Sequence, residues 1–320
     1  LKYGVITNHV LGLEVVLPSG EIIETGSKTQ DVPGYDLTGL IVGSEGTLGI
    51  VTKAILRIIR KPQAAKTLMA SFDSVADASS TVSETIADGI VPGAVEFMDN
   101  LAIRAVESSV HAAGFPQDAQ ALLLIEPDGL KESLDPLADR IVKICHRNRA
   151  TKVRFAQTEQ ERRKWWNGRK QAFGAMGRLS PNYIVLDATI PRSQLPRMLA
   201  LIGEIGKKYS IRIANVFHAG DGNMHPLVLY EERKPGEIEK AMEAAMEILR
   251  AGAQVGGTIT GEHGVGLEKR EAMRFIFTPS DLFMLRSVKA IFDPDGLCNP
   301  EKIFPSEEAA RQPPTTSAEA

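Results

Sequence analysis

The sequence predicts an α+β fold in which a small N-terminal unit precedes a larger antiparallel sheet covered by helices. Three observations point there. A hairpin signature opens the chain, a proline-marked change of pattern falls near Pro62, and strand-like and helix-like segments then alternate to the end. Residues 13–17 and 21–24 are short strand-forming runs on either side of Pro18-Ser19-Gly20, which is the pattern of a hairpin. Residues 32–35 read as a loop, and the glycine-punctuated stretch 43–49 (GSEGTLG) leads into the β-branched run Ile50-Val51-Thr52.

Beyond Pro62 the strand-like segments are 67–72, 122–126, 183–189, 212–218 and 226–230. Helical spacing is predicted over 75–88, 131–147, 161–179, 193–208 (with Ser193 as its cap), 236–252 and 280–291. The turn cluster Asp293-Pro294-Asp295-Gly296 follows the last helix. Residues 306–320 hold Pro, Ser, Thr, Ala and Glu with almost no apolar anchor, so a disordered tail is expected there. The domain reading is therefore 1–62, 63–305 and a tail of 306–320.

With 320 residues, 43% apolar and 24% charged, the chain is long enough for two packed cores. A net charge of -3 gives no electrostatic reason to bind nucleic acid or an anionic membrane. No run of apolar residues reaches the length of a transmembrane segment. Two cysteines, Cys145 and Cys298, cannot make a disulfide framework and fit a reducing compartment, so a cytoplasmic location is expected. The chain opens on Leu1, which raises the expectation that it is a piece of a longer protein.

Three of the six histidines fall in two glycine-rich loops, His218-Ala-Gly-Asp-Gly-Asn-Met-His225 and Gly261-Glu262-His263-Gly264. Asp221-Gly222-Asn223 is strong turn chemistry, and a reversal there would set His218 beside His225. Two imidazoles held by a turn supply half of a metal site, and Glu262, with Gly261 before it, is the candidate third ligand. His263, next along the chain, would then be a general base with a pKa suited to neutral pH. Taken singly, each histidine is equally well a surface loop residue; the pairing carries the argument. Residues 43–49 could cradle a phosphate with backbone N–H groups, with a plain tight turn as the rival reading. Residues 261–266 have the glycine spacing of a Walker loop, but Leu267-Glu268 stands where Lys-Ser/Thr is required. In Trp165-Trp166-Asn167-Gly168-Arg169, Arg169 could grip a substrate carboxylate, or simply face solvent.

Taken together and in order, Tyr3-Gly4, residues 10–17, 43–50, 218–225, 261–266 and Asn299-Pro300-Glu301-Lys302 resemble the FAD-linked oxidases of the vanillyl-alcohol-oxidase type. The resemblance is to the glycolate oxidase FAD-linked subunit and the D-lactate dehydrogenases, and it runs from Leu1 to about Pro305. It implies that residues 1–62 are the C-terminal portion of an FAD-binding domain, whose N-terminal part would precede Leu1. Residues 63–305 would then be a cap domain supplying substrate and metal sites. It implies FAD against Gly43, Ser44, Glu45, Gly46, Thr47, Gly49, Ile50 and Asn299. A divalent ion (zinc or manganese) would sit on His218, His225 and Glu262, with His263 as base and Arg169 on the substrate carboxylate. The implied reaction is oxidation of a short D-2-hydroxy acid to the 2-oxo acid by hydride transfer to flavin.

Relatives acting on dicarboxylic hydroxy acids carry a Lys in the strand that here reads Tyr183-Ile184-Val185-Leu186-Asp187, so a small monocarboxylate such as glycolate or D-lactate is expected. Implied partners are a second flavin subunit and an iron–sulfur subunit, through which the protein would be peripheral at the inner membrane. Two rivals stay open: a metallohydrolase using the same three ligands, and a truncated family member without activity of its own.

Overall fold

The computed structural model describes residues 1–29 and 33–306. Val32 of the expected loop and residues 307–320 of the expected tail lie outside the described residues. In chain order the elements are β1 (Val10–Val16), β2 (Ile22–Gly26), α1 (Leu37–Ile41), β3 (Ile50–Leu56), β4 (Ala64–Ala65), β5 (Leu68–Phe72), α2 (Val75–Ala87), β6 (Ala94–Asp99), α3 (Asn100–Glu107), β7 (Ala121–Glu126) and β8 (Asp128–Gly129). They continue with α4 (Leu134–Arg147), β9 (Lys152–Phe155), α5 (Glu159–Lys170), α6 (Ala172–Ala175), β10 (Asn182–Val185), β11 (Ala188–Thr189), α7 (Leu195–Tyr209), β12 (Arg212–Phe217), β13 (Asn223–Met224), β14 (Pro226–Tyr230), α8 (Glu237–Gln254) and α9 (Pro279–Phe292).

The chain divides into two compact units, one of Leu1–Tyr3 with Pro62–Gly261, the other of Gly4–Lys61 with the segment from Glu262 onward. The expected boundary at Pro62 coincides with one division. Nothing local in the sequence marks the others, after Tyr3 and after Gly261, because they depend on pairings between distant residues. Within the smaller unit Glu45 accepts the N–H of Val265 at 2.6 Å and of Gly266 at 2.8 Å. Lys289 Nζ donates to Thr47 O at 2.9 Å, and Asn299 Nδ2 donates to Glu45 O at 2.6 Å.

The larger unit is an α+β layer structure. Its seven strands lie in the order β10-β14-β12-β6-β7-β5-β9, and every neighbouring pair is antiparallel. Side chains alternate across a sheet. One face carries Met69, Met98, Leu122, Leu124, Ala214, Val216 and Leu227, which pack with Ile103, Val106, Trp165 and Met176 from the α3 and α5–α6 side. Phe97, Leu123, Ile125, Phe217 and Val228 are equally buried and by alternation face the other way, where α2, α7 and α8 contact the strands. Covering both faces explains why these strands are nearly all apolar.

The smaller unit has a three-stranded sheet, β2-β1-β3. The predicted hairpin is there, with Val16 opposite Ile22 and Gly12 opposite Gly26. Its core is Leu13, Val15, Ile41 and Leu48, with Phe292 of α9 packed against them.

Three expectations are corrected. The strand expected over 183–189 breaks at Leu186-Asp187: β10 pairs with β14, whereas β11 leaves that sheet to pair with β13. Ser193 does not cap a helix; it lies in a 3-10 turn, Arg192–Gln194, and α7 begins at Leu195 with Pro196 in its first turn. Proline there costs nothing, since the first N–H groups of a helix have no internal acceptor. The unassigned stretch between Asp88 and Leu122 holds β6 and α3. Its strand follows Pro92-Gly93 and carries two carboxylates, Glu96 and Asp99, so it lacks the plain apolar signature of its neighbours.

Candidate functional site

In the larger unit, β12 ends at Phe217 and the chain reverses to enter β13 and β14. His218 and Asn223 close the reversal with paired backbone bonds, His218 N–H to Asn223 O at 3.1 Å and Asn223 N–H to His218 O at 3.3 Å. Gly222 has φ +74°, and a Cβ there would collide with Ile190 O. The Ile190 N–H in turn donates to Gly222 O at 3.0 Å. Only glycine meets both demands. The turn sets the two imidazoles edge to face, with centroids 5.3 Å apart.

Each ring is oriented by its Nδ1. His225 is 1% exposed, and its Nδ1 lies 3.1 Å from Leu186 O. A carbonyl can only accept, so Nδ1 carries a proton. His218 Nδ1 lies 2.9 Å from Glu96 Oε1. Glu96 sits on β6, and its second oxygen is 2.7 Å from Arg169 Nη2. Burial works to raise the Glu96 pKa, but the His218 hydrogen bond and the Arg169 charge outweigh it and hold the carboxyl below its ordinary range. Arg169 is 4% exposed. Its contact with Glu96 is a charge pairing without hydrogen-bond alignment, and Nε and Nη2 are closed off from solvent.

Asp187, at the strand break, is fully buried. Its Oδ2 accepts from Thr260 Oγ1 at 2.6 Å and from the Gly261 N–H at 3.0 Å. Its Oδ1 is 3.8 Å from His225 Nδ1. A Cβ on Gly261 would stand 2.5 Å from Asn223 Oδ1 and closer still to Thr189 Oγ1, so this peptide is held tightly against the histidine hairpin. Glu262 is the next residue in the chain and belongs to the smaller unit, as does His263. Their side chains are 50% and 44% exposed, with His263 Nε2 3.5 Å from Glu262 Oε1.

In the smaller unit, residues 43–49 form a tight turn with Gly43, Glu45 and Gly46 at positive φ. The Thr47 N–H and hydroxyl both donate to Ser44 O, at 3.0 and 2.7 Å. Asn299 lies against this turn through its bond to Glu45 O. Ser44, Glu45, Gly46, Gly49, Ile50 and Asn299 line one open cavity of about 650 Å³. The structure thus groups all the residues expected at a flavin, except that Thr47 is buried beneath the turn. Glu45 turns its carboxylate to the 265–266 peptides rather than outward. Glu96 and Asp187 are the polar residues that sequence reasoning left without a role. The one signal available was a carboxylate at an inward position of an apolar strand, which must find a partner.

Residues 61–303 match the family of FAD linked oxidases, C-terminal domain. The chain belongs to this family. It is 47% identical over 306 residues to the glycolate oxidase subunit GlcD of Escherichia coli, covering 96% of this chain and 61% of that protein. The Bacillus subtilis GlcD is 43% identical over 312 residues, 97% of this chain and 66% of the relative. The mitochondrial D-lactate dehydrogenase [cytochrome] of Arabidopsis thaliana is 29% identical over 308 residues, covering 95% of this chain and 54% of the relative. The chain therefore spans somewhat over half the length of these FAD-linked relatives.

Among solved structures, p-cresol methylhydroxylase superposes with a TM-score of 0.69 at 16% identity, over 92% of this chain and 65% of that one. A 4-ethylphenol oxidase from Gulosibacter chungangensis gives 0.69 at 17%, over 95% and 68%. At that identity they show a shared fold.

Proposed function

We propose that the protein to which this chain belongs oxidises a short D-2-hydroxy acid, glycolate or D-lactate, to the 2-oxo acid. The observation that carries this reading is the 47% identity, over 96% of the chain, to a protein named as a glycolate oxidase subunit. Bound FAD would supply the hydride acceptor, and a divalent ion, zinc or manganese, a Lewis acid for the substrate's oxygens.

We assign the ion to His218, His225 and Glu262. The donor set suits it: both rings face an acceptor at Nδ1, which leaves Nε2 as the ligating nitrogen. His263 takes the hydroxyl proton while the C2–H bond breaks and its electron pair leaves as hydride, so the alcohol carbon becomes a carbonyl. The turn at 43–49 and Asn299 are assigned to the flavin's pyrophosphate and ribose. Arg169, closed off and matched by Glu96, is assigned to that carboxylate instead of to the substrate's. The strand at 183–187 carries no Lys to meet a second substrate carboxylate, which favours the monocarboxylates.

Because the relative is named as a subunit, we propose that this protein also works in an assembly, with a second flavin subunit and an iron–sulfur subunit to receive the electrons. No helix among the described residues is long and apolar enough to cross a membrane, and a peripheral position would come through such partners.

The purified full-length protein should absorb as a flavoprotein and bleach on anaerobic addition of glycolate or D-lactate. His263→Ala should retain flavin and lose about 10²-fold or more of turnover, the usual worth of a general base. A colourless protein, or a flavin that neither acid bleaches, overturns the reading.

A further inference from the structure

Glu96 stands on the same face of β6 as Met98, and His218 continues the face of β12 that carries Ala214 and Val216. The two therefore meet above one side of the sheet, and Arg169, from α5, closes the row. All three lie within the larger unit. The order of charges is Arg169, Glu96, His218, with contacts of 2.7 and 2.9 Å, and Glu96 is 8% exposed. Arg169 can only donate. Whatever occupies position 96 must therefore present an acceptor toward position 169. A carboxylate has two equivalent acceptors and can present one to Arg169 and the other to His218 at once. No neutral side chain of that shape can.

We propose that Glu96 is a positioning residue that fixes the Nδ1–H tautomer and the orientation of His218, with Arg169 as the charge that keeps Glu96 a double acceptor. Its consequence for Nε2 rests on the metal assignment made above; its consequence for the tautomer does not. Removing Arg169's demand or Glu96's second acceptor should change the ring in opposite, foreseeable ways. In Glu96→Gln the amide oxygen goes to Arg169, which has no alternative, and the NH₂ group faces His218. The ring must then accept at Nδ1 and carry its proton on Nε2. In the double variant E96Q/R169M the demand from position 169 is gone, the amide oxygen turns back to His218, and the Nδ1–H form returns. The double variant also buries no charge, so it reports even if Glu96→Gln alone folds poorly.

The test uses full-length protein labelled with ¹⁵N-histidine, with the His218 signals assigned by loss in His218→Gln. The expected result is a pyrrole-type Nδ1 in the native protein, a pyrrole-type Nε2 in E96Q, and reversion in E96Q/R169M. Titration with Zn²⁺ alone should then show Kd raised 10- to 100-fold in E96Q, the range for loss of an outer-shell partner, and largely restored in the double variant. A protonated Nε2 in the native protein, or a tautomer unmoved by E96Q, overturns the proposal. If the tautomers invert as described while native protein takes up no Zn²⁺, the metal assignment fails and the positioning role stands. A purely structural role for Glu96 would lower stability in both variants and restore neither readout.

Discussion

Asp99 Oδ2 accepts two hydrogen bonds from Asn215, one from its backbone N–H at 2.7 Å and one from Nδ2 at 3.0 Å, while Oδ1 accepts from the Ala102 N–H at 3.0 Å. The carboxylate thus caps α3 and ties β6 to β12 one residue beyond their ladder.

Full burial nevertheless dominates these bonds and pushes the Asp99 pKa up to about 6 from 3.8. The native state then binds a proton at Asp99 more tightly than the unfolded chain, so the contribution of Asp99 to stability is greatest below about pH 4 and is lost as pH rises through 6. A shift of this size corresponds to about 3 kcal/mol. Chemical denaturation between pH 4 and 7 should show that slope. Asp99→Asn should flatten it, and should match the native protein most nearly at low pH, where the native carboxyl is itself protonated and, like the amide, keeps one acceptor oxygen. A variant with the native slope would assign the titration elsewhere.

Thiol chemistry should separate the two cysteines. Burial pushes the Cys145 thiol up to about 12, so it offers no thiolate near neutral pH. Cys298 is partly exposed. Ellman's reagent should therefore modify Cys298 and spare Cys145 in the folded protein, with Cys145 reacting only in denaturant. A rapidly modified Cys145, located by peptide mapping, would contradict the packing of α4.

Glu45→Ala should loosen the smaller unit. It leaves the Val265 and Gly266 N–H groups without their acceptor, at a cost of about 1–3 kcal/mol. Glu45→Gln keeps one carbonyl acceptor and should cost about half as much. Thermal unfolding ranks the pair, and equal midpoints for the native protein and Glu45→Ala would deny the carboxylate this role.

Gly261→Ala should disturb the peptide that leads into Glu262. The added Cβ meets Asn223 and Thr189 side chains, and overpacking of this kind costs about 1–3 kcal/mol. Zn²⁺ affinity, measured by calorimetry, should fall along with stability. Undiminished affinity would argue against Glu262 as a ligand.

Local chemistry is legible in the sequence. The Pro18-Ser19-Gly20 hairpin and the Asp221-Gly222-Asn223 reversal follow from turn residues within a few positions, and the structure places both as expected. Glu96 was not legible: its partners are His218, 122 positions away, and Arg169 on α5, and no local pattern encodes that meeting. The surroundings of Arg169 were hidden for the same reason. On a helix rich in Arg and Lys its neighbours suggest solvent or a ligand, whereas the fold buries it on Glu96. Asp187 looked like one more strand residue because the break at Leu186 depends on which sheet each half joins.

The smaller unit is assembled from the two ends of the chain, and Glu45 waits for Val265, 220 positions later. During synthesis the stretch from Pro62 to Gly261 leaves the ribosome as one contiguous piece and can begin to fold at once. The sheet that precedes it cannot complete its core before Phe292 emerges. Nascent β1–β3 would therefore wait as an unfinished sheet with exposed apolar side chains until the segment after Gly261 emerges, the state that chaperones bind.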